Sequence, residues 1–242
     1  MSLAMLFGTG LMLLPTKPLH AGALLGLLAY KPQYGLLIPL ALACTGQGRA
    51  MASAAATVAA TVVASIALFG WTSWEAFFTH ASYTKETILE NGAAGWFKLQ
   101  GLFPAIRMAG GDLATAYAAQ VILILLLAAS IIWLWRARTT HEVKSAGLIL
   151  ATMLATPYAF NYDCVLLGAA IAFLAADGLQ RGFARYEISA LALLWITPLI
   201  SREATALLHV PLALLVQALV FAMLLARVRR ETTSSPRLAH AV

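Results

Sequence analysis

The segment YKPQYG, residues 30–35, interrupts an apolar run that begins near Leu19 and ends near Cys44. It places a lysine, a proline, a glutamine and a glycine where the flanking sequence is almost wholly apolar. Proline removes a backbone donor and breaks the interior of a helix. The run is therefore predicted to be either two half-length helices that meet at this segment or one long helix kinked at Pro32.

The composition around this segment is that of a membrane protein. Of the 242 residues, 61% are hydrophobic and only 11% are charged, whereas soluble domains are about half apolar and about a quarter charged. A run of about 20 apolar residues crosses a bilayer as a helix. The sequence therefore predicts an all-α, polytopic transmembrane helical bundle, with short or broken helices, and excludes a soluble globular domain.

Nine apolar segments, several of them short, are separated by polar or charged turns. They lie at about 1–14, 19–29, 36–44, 50–70, 114–135, 146–160, 164–180, 188–200 and 206–226. Arginines and lysines cluster in two later loops and in the C-terminal tail, and such residues accumulate on the cytoplasmic side. We therefore expect a cytoplasmic C-terminus, with residues 158–163, residues 200–203 and a long loop over about 71–113 on the outside.

The same charge rule bears on the interrupted run, because Lys17 before it and Arg49 after it both look cytoplasmic. If both ends lie on one side, the run reverses at YKPQYG and forms two half-length helices. One kinked helix would instead place Lys17 outside, against the rule.

Lys31 is the first candidate for ligand binding. A lysine near the membrane centre costs about 2.5 to 3.5 kcal/mol on insertion scales, so it is expected to meet an anion or to reach water. A lipid phosphate would serve, with Gln33 and Tyr34 adding hydrogen bonds to the same ligand. The alternatives are a lysine that snorkels to the interface, and polar neighbours that merely satisfy the backbone freed by Pro32.

The stretch TPYAFNYDC, residues 156–164, gathers a second polar cluster. Pro157 ends a helix, and Asn161, Tyr162 and Asp163 follow at the outer end of the next one. A carboxylate in such a place acts as a general base, as a metal ligand or as the partner of a cation. Asp163 is also well placed to cap a helix N-terminus, and both interpretations stay open.

The predicted outer loop mixes aromatic and basic residues. Trp71, Trp74 and Trp96 are placed as interface anchors. Lys98 and Arg107 are expected to face either lipid headgroups or a phosphorylated substrate.

Several common functional motifs are absent from the sequence. It contains no phosphate-binding glycine loop, nucleophile elbow, H-E-x-x-H motif or nucleic-acid module. His80 has no second histidine or carboxylate at metal-ligand spacing, so the sequence predicts neither a metal site nor a cofactor. The net charge of +6 is explained by cytoplasmic basic residues and does not indicate a nucleic-acid partner.

Four stretches, taken in order along the chain, carry a resemblance to a known family. They are LAYKPQYGLLIPLALACTGQGRA (28–50), FGWTSWEAFF (69–78), GWFKLQGLFPAIRMAGGDLATAYAAQ (95–120) and TPYAFNYDCVLLGAAIAFLAADG (156–178). Together they resemble the C-terminal part of glycosyltransferase family 87. In that family a lysine–proline pair precedes an apolar half-helix, and a proline–tyrosine stretch ending in Tyr-Asp opens a later helix.

The resemblance implies an integral membrane glycosyltransferase of the GT-C type. Such an enzyme passes a hexose, typically mannose, from a polyprenyl-phosphate donor to the hydroxyl of a lipid or glycan acceptor at the outer face, with an acidic residue as general base. The implied phosphate contacts are Lys31 and Arg107. Tyr162 and Asp163 match the Tyr-Asp pair and would line the outer cavity with Asn161, while the catalytic base has no matching position and Asp163 is only a candidate.

Members of this family are usually longer, and their catalytic acid lies in a first outer loop near the N-terminus. We therefore expect a truncated or split member, inactive alone, or one that works with a missing N-terminal portion or a partner subunit. An enzyme predicts an outward-facing cavity in which Lys31 and residues 158–163 converge. The competing interpretation is a non-catalytic membrane protein, either a small transporter that binds at the broken helix or a subunit of a membrane complex.

Either interpretation predicts a protein of the bacterial inner membrane, in contact with membrane lipids. We divide the chain into a transmembrane part over 1–230 and a disordered cytoplasmic tail over 231–242.

Overall fold

A computed structural model describes residues 2–234, which form an all-α bundle. Over these residues there are eleven α-helices and no strand, although Leu99 and Phe160 form one isolated bridge. The helices are α1 (Ser2–Leu13), α2 (Pro18–Gly26), α3 (Ile38–Cys44), α4 (Gly48–Phe69), α5 (Trp71–Thr84), α6 (Leu102–Met108), α7 (Leu113–Arg136), α8 (His141–Ala155), α9 (Leu167–Arg181), α10 (Glu187–Leu208) and α11 (Leu212–Ser234).

Five helical segments of the described chain are long and apolar enough to cross a membrane. They are α4, α7, α10, α11 and the continuous stretch of the 3-10 turn Asn161–Leu166 with α9. The prediction of a transmembrane helical bundle is confirmed. The protein is therefore an integral membrane protein.

The core of the bundle is α8. Each of its residues from Ser145 to Ala155 is buried, because the helix packs against α1, α7, α9 and α11. By contrast, α4 buries only Ala50 and α5 buries none of its residues. These two helices lie at the edge of the bundle, where an apolar helix such as α4 would face lipid.

The run around YKPQYG reverses direction. A Cβ atom added to Gly26 would lie 2.6 Å from the Ala54 oxygen, and one added to Gly22 would meet the Ala50 oxygen, so α2 and α4 are in close contact and parallel. Since α3 lies between them in sequence, the chain must turn back at residues 30–35 and return along α3. The run is therefore two half-length helices, and the alternative of one kinked helix is wrong.

Basic residues gather at one end of the bundle. The Ser53 hydroxyl donates to the Leu19 carbonyl at 2.7 Å, which places the start of α2 beside the start of α4. The same end holds the α1–α2, α7–α8 and α9–α10 turns and the end of α11, because His141 at the start of α8 lies 2.7 Å from the Leu11 carbonyl at the end of α1. We call this the basic end. It carries Lys17, Arg49, Arg136, Arg138, Arg181, Arg185, Arg227, Arg229 and Arg230.

Two expectations about loops need correction. Residues 71–113 are largely helical, because α5, a π-helical turn at Lys85–Glu90 and α6 occupy most of them. Residues 200–203 lie within α10 and not in a turn, since the helix continues past Pro198 to Leu208.

The predicted tail begins later than expected. Helix α11 runs through Ser234, so residues 231–234 are helical. The remainder of the predicted tail, 235–242, lies outside the described residues.

Candidate functional site

The backbone at Lys31 is shaped by the proline that follows it. A residue before proline is disfavoured in the α conformation, and Lys31 adopts φ −133° and ψ 73°. This residue separates two 3-10 turns, Leu27–Tyr30 and Pro32–Gly35. The interruption directs the lysine side chain away from the helix axes and toward the segment that follows α8.

That facing segment is also shaped by a proline. Helix α8 ends at Ala155 because Thr156 precedes Pro157 and takes an extended conformation. The Thr156 hydroxyl donates to the Gln33 carbonyl at 3.3 Å, which ties the two interrupted segments together. Lys31 and residues 158–163 thus meet at the end of the bundle opposite the basic end.

At this meeting point Lys31 and Asp163 form an ion pair between Nζ and Oδ1. The Asp163 side chain is 4% exposed and that of Lys31 is 24% exposed. The second carboxylate oxygen accepts the Phe160 N–H at 3.3 Å, at the start of the 3-10 turn. Asp163 therefore serves both as the partner of a cation and as a stabiliser of the turn.

Aromatic rings enclose the ammonium on its other sides. The Lys31 Nζ lies 4.7 Å from the centre of the Tyr162 ring and 5.9 Å from that of Tyr34. Tyr162 stacks on Phe160 at 5.3 Å and remains exposed. Tyr34 is fully buried, and its hydroxyl has no hydrogen-bond partner among the described residues.

An apolar groove begins beside this cation. It has a volume of about 540 Å³ and lies between the α2–α3 hairpin and α4. Pro32, the residue next to Lys31, lines it together with Leu28, Leu36 and Val58. The groove can take an aliphatic chain whose polar head lies near residue 31.

Two of the residues predicted to bind substrate have structural contacts instead. The Asn161 amide donates to the Pro198 carbonyl at 3.2 Å and accepts the Ser201 hydroxyl at 2.7 Å. Both polar groups of Asn161 thus hold the 3-10 turn against α10. The Gln33 side chain is half-buried, and the bond that this residue makes to Thr156 uses its backbone carbonyl.

Arg107 lies in a separate cluster of the segment between α5 and α7. Its guanidinium donates to the carbonyls of Gly111 at 2.8 Å and Glu90 at 3.1 Å, and it stacks 5.0 Å from the Trp96 ring. The structure does not bring these atoms to Lys31. Arg107 holds this segment together by contacts that a phosphate would have to displace.

Glu90 belongs to the same cluster. Its carboxylate accepts the Tyr117 hydroxyl at 2.6 Å and lies 3.3 Å from the Lys85 ammonium. The hydrogen bond from Tyr117, followed by the interactions with Lys85, holds the pKa of Glu90 below its usual range. Glu90 is therefore ionised at neutral pH and secures the start of α7 to the turn after α5.

Sequence reasoning identified Lys31 and Asp163 separately but did not pair them. Their separation along the chain is 132 residues, and the antiparallel order of the helices gives no direct signal for that contact. The sequence does indicate that Lys31 needs an anionic partner, and the chain offers ten acidic residues from which that partner could come. Pro32 and Pro157 interrupt their helices at the same end of the bundle, and the fold thereby brings Lys31 next to Asp163.

Comparison with known proteins gives a family match. The family model for Glycosyltransferase family 87 matches residues 1–157. No curated protein matches the chain significantly. No solved structure does so either. The family match includes Lys31 and the groove, and it ends before Asp163.

Proposed function

Because this chain belongs to glycosyltransferase family 87, we propose that it transfers a hexose, most simply mannose, from a polyprenyl-phosphate donor to an acceptor hydroxyl. The donor phosphate binds at Lys31, and the prenyl chain lies in the groove beside Pro32. One observation carries this proposal: the buried Asp163 carboxylate holds the Lys31 ammonium, and Pro32, the next residue in the chain, lines an apolar groove of about 540 Å³.

The reaction makes clear what Lys31 would contribute. When the glycosidic bond breaks, negative charge grows on the departing lipid phosphate. A positioned cation stabilises that charge, and loss of one such donor typically lowers turnover about 10²- to 10³-fold. The partly exposed ammonium is reachable by a phosphate without unfolding the site, because its side chain retains 24% exposure.

We assign Asp163 a positioning role in this reaction. Its oxygens are occupied by Lys31 and by the Phe160 N–H, so it holds the ammonium in place beside the 3-10 turn. Tyr162 covers the ammonium from the exposed side and is placed to contact the sugar or the acceptor. The general base that accepts the acceptor proton is not assigned to a residue.

The charge pattern indicates how the protein is oriented in the membrane. Basic residues collect on the cytoplasmic side of membrane proteins, so the basic end and the C-terminus face the cytoplasm of a bacterial cell. Lys31 and Asp163 then lie toward the outer face of the plasma membrane, where a lipid-linked sugar meets its acceptor.

The test is donor binding by purified protein in lipid nanodiscs. We expect labelled polyprenyl-phosphate mannose to bind the native chain, and Lys31→Met to weaken that binding at least tenfold. Lys17→Met is the matched control, because Lys17 is exposed at the basic end, and it should leave binding unchanged. Equal donor binding by the native chain and Lys31→Met would remove Lys31 from the donor site.

A further inference from the structure

A second cavity lies at the basic end, far along the bundle from Lys31. It has a volume of about 600 Å³ and is bounded by the α9–α10 turn, the first turns of α10 and the last half of α11. Its lining has an apolar part and a polar part. Leu174, Leu191, Val220 and Met223 supply an apolar wall, and four arginines and two glutamates supply the polar one.

One of the four arginines is fixed in place by carboxylates. Arg227 is 12% exposed and forms ion pairs with Asp177, Glu187 and Glu231. Asp177 is fully buried and also accepts the Thr140 hydroxyl at 2.6 Å. This network links the residue that caps α8 to α9, α10 and α11, and so ties together the helices around the cavity.

Two other arginines stand nearer the rim. Arg181 is 41% exposed and lies 3.4 Å from Glu231 and 3.9 Å from Asp177. Arg185 is exposed, and its guanidinium stacks 4.6 Å from the Tyr186 ring. This stacking orients the guanidinium and leaves its N–H edge available to hydrogen-bond an anion.

The turn that carries these residues is well fixed. The Ala184 N–H donates to the Glu187 carboxylate at 2.6 Å, and the Phe183 ring packs so closely on Gly178 that a Cβ there would overlap it. Tyr186 adopts the left-handed conformation, at φ 65°. The rim arginines are thus presented by an ordered turn.

We propose that this cavity binds one anionic phospholipid, with its phosphate at Arg181 and Arg185 and an acyl chain along the wall formed by Leu191 and Met223. Basic pockets between membrane helices suit such headgroups. The apolar wall distinguishes a lipid from free phosphate, which would use only the arginines. This site is separate from the proposed donor site and does not depend on it.

The test measures the thermal stability of the full chain in detergent against added short-chain lipid. Phosphatidylglycerol should raise Tm saturably, and phosphatidylcholine or inorganic phosphate should do so much less. Arg185→Gln should weaken the apparent affinity for phosphatidylglycerol about fivefold, since a basic residue near an anionic headgroup contributes a factor of that order. Met223→Trp should fill the apolar wall and weaken it further.

Arg138→Gln is the matched control. Arg138 is exposed at the basic end and is not among the described residues that line the cavity, so its loss should leave the phosphatidylglycerol effect intact. An equal loss with Arg138→Gln would reveal diffuse attraction and overturn the proposal. It would also be overturned by equal effects of inorganic phosphate and phosphatidylglycerol, or by a native lipid response in Met223→Trp.

Discussion

The pairing of Lys31 with Asp163 leads to a prediction for stability. Asp163→Asn removes the charge but keeps an oxygen that can accept the Phe160 N–H, so it isolates the ion pair from the turn. Removing one partner of a buried ion pair costs about 3 to 5 kcal/mol. Because the Lys31 side chain is 24% exposed, water offsets part of the loss, and we expect about 3 kcal/mol.

Substitution of the other partner, Lys31→Met, should cost a similar amount, because it leaves the buried carboxylate without its cation. The double variant should cost about 4 kcal/mol and not the additive value of about 6 kcal/mol, since neither charge then remains unpaired; the difference is a coupling free energy of about 2 kcal/mol. Thermal unfolding in a mild detergent measures this, and 3 kcal/mol corresponds to a fall in Tm of about 6 to 12 °C. Additive losses in the double variant, with coupling below about 0.5 kcal/mol, would refute the pairing.

Three further predictions concern packing, a charged network and pH. Gly26→Ala should destabilise the chain by about 1 to 3 kcal/mol in thermal unfolding, because its Cβ would lie 2.6 Å from an atom of α4. Gly35→Ala should be tolerated, because a Cβ at that position has no atom within 4 Å. Arg227→Gln removes the cation shared by three carboxylates and leaves two of them with only the more exposed Arg181. It should lower Tm far more than Arg229→Gln, which changes an exposed residue; equal effects would contradict the network. The pKa of Glu90 is depressed, so its stabilising contribution is present above the unfolded pKa and is lost as pH falls through the folded pKa. Tryptophan fluorescence should report this acid transition in the native chain, and the transition should be weaker in Glu90→Gln.

Much of the architecture follows from the sequence, for a physical reason. A bilayer imposes a fixed length on apolar helices, so composition and spacing locate α4 and α7 to within a few residues of the observed bounds. The charge rule, applied to Lys17 and Arg49, also favours the reversal at YKPQYG. The structure places those two residues at the same end, because Ser53 bonds the Leu19 carbonyl.

The errors arise where local signals are weak. Charged residues within 200–203 suggested a turn, but a helix end at the membrane surface carries charges just as readily, and α10 continues to Leu208. The segment 71–113 contains no long apolar run, so its helices could not be identified from hydropathy.

The candidate site was only half accessible from sequence. Lys31 stands out because a cation within an apolar run requires an explanation. Asp163 stands out as an acid beside a proline-broken helix, but contact between residues so far apart in sequence depends on how the helices assemble. Asn161 and Arg107 present a different difficulty. In the sequence their polar side chains look available to bind a ligand, but in the fold they donate hydrogen bonds to the carbonyls of Pro198 and Gly111.

The most direct test of the central claim is a titration of the native chain and Lys31→Met with a polyprenyl phosphate that lacks the sugar. This ligand isolates the contact between the phosphate and the ammonium. We expect saturable binding to the native chain, weakened at least tenfold by Lys31→Met and unchanged by Lys17→Met. Indistinguishable affinities for the native chain and Lys31→Met would contradict it.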